Sequence, residues 1–226
     1  VASNMIEGIT VNAKREKELL NGNLLPQDRS EKEFAAYQRV LARIHRAEGD
    51  IAFTTTNILN IHNLLSESID PKAGAFKTEE VFIVDHDRVS NTLYGKEETS
   101  SVRDPPEHVD QLPRHVLAVE QARQLDPLIY IPLAILDYLR IHPFHDGNGR
   151  TARLWTLALL YKAGFRIGRY ISIERFVEER RPWYYKALQA SCIGWADEKH
   201  NPLPWLEFFW GVMESAYSEF ASRVES

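Results

Sequence analysis

The chain has 226 residues, 44% of them hydrophobic, enough for one large or two small domains with a real core. Its net charge of −5 supplies no basic field, which excludes binding to nucleic acid or an anionic membrane by bulk charge. The single cysteine, Cys192, rules out an internal disulfide and fits a reducing compartment. No apolar run reaches ~18 residues and no charged-then-apolar leader opens the chain, so the expectation is a cytoplasmic protein with neither span nor signal peptide. Because the chain opens on Val1, inside what reads as a motif, further residues are expected upstream and also downstream.

Residues 3–8, Ser-Asn-Met-Ile-Glu-Gly, read as a short helix with Ser3 as N-cap and Gly8 as stop. Glu7 follows Ser3 by four positions, not the three of a capping box; alone it reads as an exposed surface glutamate whose carboxylate is available for another partner. Residues 14–20 continue as a charged helix, broken by Asn21-Gly22-Asn23. Over 30–48, a capping box of Ser30 and Glu33 opens an amphipathic helix whose stripe Phe34, Tyr37, Val40, Leu41 and Ile44 is core. A helix over 55–68 turns Ile58, Ile61, Leu64 and Leu65 inward, with His62 packing or capping, before Asp70-Pro71 and Gly74 open a loop.

Residues 80–84, with Val81, Phe82, Ile83 and Val84, form the one run rich in β-branched and aromatic side chains. The only sensible partner for an isolated strand is its own return after the polar excursion over 85–101, so a β-hairpin is expected. Residues 111–124 are helical. Pro132 removes a donor from the apolar run 128–141, whose helix either begins near Ile129 or kinks; both options deliver the chain to His142.

Residues 142–153 read His-Pro-Phe-His-Asp-Gly-Asn-Gly-Arg-Thr-Ala-Arg and lie between two apolar segments. Gly147 and Gly149 bracket Asn148, so the backbone there can take positive φ and approach a ligand closely. Arg150 and Arg153 fall in the first turn of the next helix, on one face. A helix N-terminus already carries roughly half a positive charge, so two added arginines repel it unless an anion sits among them. The pattern implies a polyphosphate site. His142 can accept a proton near neutral pH, and Asp146 offers a hard oxygen suited to Mg²⁺. Any one of these residues alone is a Gly-rich turn, a surface arginine or a histidine satisfied by the backbone; the set together is not. His142, His145 and Asp146 also fit a metal phosphohydrolase, but no distant His/Asp ligands complete it.

After the motif, residues 154–161 are apolar nearly all round, marking a central buried helix that Gly164 ends. Residues 173–192 hold Arg181-Pro182-Trp183-Tyr184-Tyr185, in which Trp183 and Tyr184 read as core. A last amphipathic helix over 204–220 buries Trp205, Phe208, Phe209, Val212, Met213, Ala216 and Phe220.

The stretch 142–153 resembles the Fic-family signature, His-Pro-Phe-x-(Asp/Glu)-Gly-Asn-Gly-Arg-x-x-Arg, at every specified position. The resemblance covers nearly the whole chain and implies an all-α, mainly helical Fic fold with one β-hairpin flap. It divides the chain into an inhibitory segment over 1–25 and a Fic domain with helical extensions over 26–226. It implies an adenylyltransferase that moves AMP from ATP to a Ser, Thr or Tyr hydroxyl of an unknown target protein or of itself. His142 would be the base and Asp146 the Mg²⁺ ligand. The amides of Gly147, Asn148 and Gly149, with the Asn148 side chain, would cradle phosphate, and Arg150 and Arg153 would neutralise the pyrophosphate end.

Ser3, Glu7 and Gly8 match the (Ser/Thr)-x-x-x-Glu-(Gly/Asn) pattern of an inhibitory helix, in which Glu7 would pair with Arg153 at the γ-phosphate position. Residues 81–84 stand where a flap would pair with the target. Tyr185, in a Tyr-Tyr-x-x-Leu pattern, would wall the nucleoside pocket, though Cys192 stands where relatives carry Asn. Ala36 likewise replaces an Asn before Tyr37, and Ala75-Phe76-Lys77 match Gly-(Tyr/Phe)-Arg only in part. The same resemblance leaves open removal of AMP with Glu7 as base for water, a different nucleotide or phosphocholine donor, a non-catalytic nucleotide-sensing module, and a homodimer. Neither nucleic acid nor membrane is an expected partner.

Overall fold

The computed structural model describes residues 2–79, 81–83, 102–104 and 106–225, and among these the chain is mainly helical. The order is α1 (Ala2–Ile6), α2 (Ala13–Leu20), α3 (Arg29–Ala47), α4 (Thr55–Ser66), strands β1 (Val81–Ile83) and β2 (Val102–Asp104), then α5 (Leu112–Gln121), α6 (Pro127–Ile141), α7 (Asn148–Lys162), α8 (Ile173–Glu179), α9 (Arg181–Cys192) and α10 (Leu203–Glu225). The segment that reads as apolar all round becomes α7, with Leu154, Trp155, Leu157, Leu159, Leu160 and Tyr161 all buried. Around it pack α3, α4 and α6, while α10 lies across α6, α8 and α9, and α1 seats mainly on α8.

Two expectations about these helices need correction. The N-cap of α3 is Asp28, whose extended backbone lets its side chain accept the Glu31 N–H at 2.8 Å; Ser30 is already inside the first turn, and no Ser30–Glu33 box forms. Glu33 is instead buried, within 3.0 Å of Arg29 and 3.6 Å of Arg150. The helix with Pro132 takes neither sequence option in full, since it starts at Pro127 and carries the proline inside. The carbonyl of Leu128, which has no N–H four residues on, accepts the Trp210 Nε1–H of α10 at 2.8 Å.

Strands β1 and β2 pair antiparallel, Val81 opposite Asp104, Phe82 opposite Arg103 and Ile83 opposite Val102. Beyond these three pairs no hairpin flap is seen, because Val84 and the connection through residue 101 lie outside the described residues. Among the described residues, no helix is long and apolar enough to cross a membrane.

Candidate active site

Helix α6 ends at Ile141, and His142 turns the chain out of it with φ 47°, its N–H bonded to the Tyr138 carbonyl at 2.9 Å. A left-handed conformation is costly for a residue with a Cβ and recurs where a site demands a particular aim. The His142 Nδ1 lies 3.2 Å from the Leu139 carbonyl oxygen. That oxygen can only accept, so Nδ1 carries the proton and Nε2 is the basic nitrogen.

The loop that follows is braced from within. Asn148 closes it by accepting the Phe144 N–H at 3.0 Å and donating to the Phe144 carbonyl at 2.8 Å. The Asn148 amide thereby shapes the loop, with its Oδ1 and one Nδ2–H engaged by the Phe144 backbone. Phe144 is fully buried and stacks on His62 of α4, centroids 3.7 Å apart and planes 3° from parallel. The His62 Nδ1 accepts the Gly74 N–H at 3.1 Å, which leaves Nε2 protonated to donate to the Asp146 carbonyl at 3.0 Å. Burial pushes the His62 imidazole down to about 4, so it is neutral near pH 7. Lys77 adds a second brace: its N–H donates to the Pro143 carbonyl at 2.9 Å and its Nζ to the Ile141 carbonyl at 3.3 Å.

Asp146 keeps its carboxylate 60% exposed. One oxygen accepts the Gly147 N–H at 2.6 Å, and the other faces Arg29 at 3.3 Å and Arg150 at 3.7 Å. Gly147, with φ 77°, starts α7 and has no side chain to cap the first-turn amides. Arg150 is buried between Glu33 and Asp146, both beyond 3.5 Å, and its Nε and Nη1 have no hydrogen-bond partner.

Arg153, also buried, reaches back to α1. Its Nε donates to Ser3 Oγ at 2.7 Å, and its Nη2 donates to the Ser3 carbonyl at 2.9 Å and to Glu7 Oε1 at 2.8 Å, while Nη1 has no partner. Glu7 lies so close over Gly149 that a Cβ there would collide with its carboxylate and sit 3.1 Å from Arg153 Nη1. A glutamate carboxylate thus stands in the space the glycine opens at the amino end of α7.

Residues 52–160 match the Fic/DOC family. The chain is a Fic-family protein. Curated relatives bear the name protein adenylyltransferase Fic. The one from Drosophila grimshawi is 32% identical over 121 residues, covering 51% of this chain and 22% of the relative; that from Aedes aegypti is 30% identical over 145 residues, 62% and 25%. This Fic chain therefore spans about a quarter or less of their length. A Fic family protein from Desulfovibrio desulfuricans superposes over 100% of this chain and 64% of its own at TM-score 0.77 and 24% identity. A Fic domain containing signaling protein from Bacteroides thetaiotaomicron does so over 95% and 81% at 0.74 and 21%. At these identities the likeness establishes the Fic fold.

In this Fic chain, α6, the loop and α7 bring His142, Asp146, Gly147, Gly149, Arg150 and Arg153 into one stretch, and α1 adds Ser3 and Glu7. Gly8, with φ 75°, ends α1 as expected, its N–H on the Met5 carbonyl at 2.9 Å. Tyr185 stands against the same helix, its hydroxyl donating to the Ile6 carbonyl at 3.4 Å. Tyr184 is buried, but Trp183 is 63% exposed, against the expectation that both are core. Sequence reasoning missed the roles of Glu33, Arg29 and His62, whose partners lie far along the chain.

Proposed function

We propose that this chain is a protein adenylyltransferase held in check by its own first helix. The observation that carries the reading is the end of α7, where two buried arginines retain N–H groups without partners and a carboxylate occupies the adjoining space over Gly149. The Glu7 carboxylate stands in for a phosphate oxygen. The helix end, its uncapped amides and the unused guanidinium N–H groups form an anion cradle suited to the polyphosphate of ATP.

In the working state a Ser, Thr or Tyr hydroxyl of the target approaches His142. Nε2 takes its proton as the hydroxyl oxygen bonds to the α-phosphorus, and the bond to the departing pyrophosphate breaks. The amides of Asn148 and Gly149 hold the phosphates, while the Gly147 N–H stays on Asp146, and Arg150 and Arg153 neutralise the leaving end. Asp146 is a lone exposed carboxylate, and among the described residues no group of three or more acidic, His or Cys side chains forms a cage. That suits Mg²⁺, which keeps most of its ligands as water and substrate phosphate and would neutralise phosphate charge there. Tyr185 would wall the nucleoside, and the edge of β1 would hold an extended target segment.

Transfer of radiolabelled AMP from ATP to the chain or an added target tests the reading. A positioned base contributes ~10² to 10⁴ in rate, so His142→Ala should lose nearly all transfer while still binding ATP. Transfer at the wild-type rate by that variant would remove the assignment.

A further inference from the structure

The geometry points to His62 as a positioning residue: bonded to the Asp146 carbonyl on one side and the Gly74 N–H on the other, it fixes the Asp146 carboxylate and ties its loop to the root of β1. Its bearing on catalysis rests on the adenylyltransferase reading, whereas its hold on the loop does not.

The peptide between Asp146 and Gly147 is the hinge of the case. Its carbonyl accepts the His62 Nε2–H at 3.0 Å, and its N–H donates to Asp146 Oδ1 at 2.6 Å. Fixing that peptide plane therefore fixes the direction of the carboxylate, and polarising its carbonyl strengthens the N–H bond on its other side. The face-to-face stack on Phe144 locks the ring that does this. A leucine could fill the same space, but only a group with an acceptor and a donor on opposite edges can bridge the two backbones.

The other end of the bridge is Gly74. From there the chain runs through Lys77, which binds the Ile141 and Pro143 carbonyls, to β1 at Val81. The stem of the strand pair and the loop of His142 and Asp146 are thereby one bonded unit. A target segment pairing with β1 would bear on the loop through these bonds.

The test uses the full chain with His62→Leu, which keeps bulk and loses both bonds, and His62→Gln, whose amide can restore the donor to the Asp146 carbonyl. On a His142→Ala background, which prevents turnover, Mn²⁺ binding in the presence of ATP is followed by electron paramagnetic resonance. Hydrogen exchange is read at the Gly74 and Gly147 amides. Groups that orient a metal ligand are worth roughly 10- to 100-fold in affinity or activity, so His62→Leu should weaken Mn²⁺ by at least ~10-fold and speed both amides on that background, and lower kcat where His142 is intact, while His62→Gln should recover most of the Mn²⁺ and Gly147 effects. Where leucine abolishes folding, His62→Asn serves instead, since its shorter amide reaches Gly74 but not Asp146.

Unchanged Mn²⁺ affinity and unchanged exchange at Gly147 in His62→Leu would overturn the inference, and if the wild type binds no Mn²⁺ with ATP the exchange result alone decides. A Glu7→Gly form that binds Mn²⁺ and ATP without transferring AMP would sink the adenylyltransferase reading and leave the role of His62 standing. A wild type that transfers AMP and is indifferent to His62→Leu would do the reverse.

Discussion

Replacing Glu7 tests whether the segment after α1 restrains the site. Arg153 makes two hydrogen bonds to Ser3 of α1 and one to Glu7 in the turn after it, so Glu7→Gly removes only the charged one and leaves the helix docked. A hydrogen bond to a charged group contributes about 1.5–3 kcal/mol; the Glu7 side chain is 32% exposed and partly screened, which places this pair near the lower end, about tenfold in an equilibrium. The carboxylate also fills the space over Gly149, so an anion must displace Glu7 to settle there. The ATP Kd of Glu7→Gly, measured by calorimetry, should fall by about tenfold, and self-labelling with radiolabelled ATP should rise at least as much. Glu7→Gln keeps the bulk without the charge and should fall between. Equal ATP affinity in all three forms would refute the reasoning, because it would mean that Glu7 and phosphate do not compete.

Two further outcomes follow from the braces around the loop. Asn148→Ala strips the buried Phe144 N–H and carbonyl of their partner, at about 1–3 kcal/mol each, and should lower Tm by roughly 5–15 °C in a thermal melt. A drop of only a degree or two would show that the loop closes without it. The depressed His62 sets an acid limit, because between pH 6.5 and about 4 the unfolded chain takes up a proton that the folded site refuses. Stability should thus be full above pH 6.5 and decline toward pH 4, by up to about 3 kcal/mol from His62. Burial depresses His115 as well and adds to the slope. Denaturant titrations of wild type and His62→Gln over this range should give a shallower decline in the variant, and identical slopes would exclude His62 as a cause.

The motif was legible because its parts are neighbours in the chain. The positive φ of Gly147, the tight approach at Gly149 and the placing of Arg150 and Arg153 on one face of a first turn are all set within a few residues. Glu7 was legible only as a pattern match, and its pairing with Arg153 spans 146 positions. Periodicity turns Tyr37 inward and leaves His62 to pack or cap, yet it carries no information about what a side chain meets. The partner of His62 lies 84 residues on, and Glu33 meets Arg150 only because α3 packs against α7. The same limit explains Trp183, since successive side chains on α9 point about 100° apart and the inward place goes to Tyr184. At α3 the error was local: an aspartate two residues before Ser30 takes the cap. At α7, Glu33 of another helix and Asp146 already offset part of the charge that Arg150 brings, which chain order alone does not show.

The indole of Trp210 replaces the donor that Pro132 takes out of α6, so the last helix splints the shaft that points the His142 imidazole. Shortening the chain from its carboxyl end would do more than trim a flank: once the cut reaches this tryptophan it would slacken a rod whose tip carries His142.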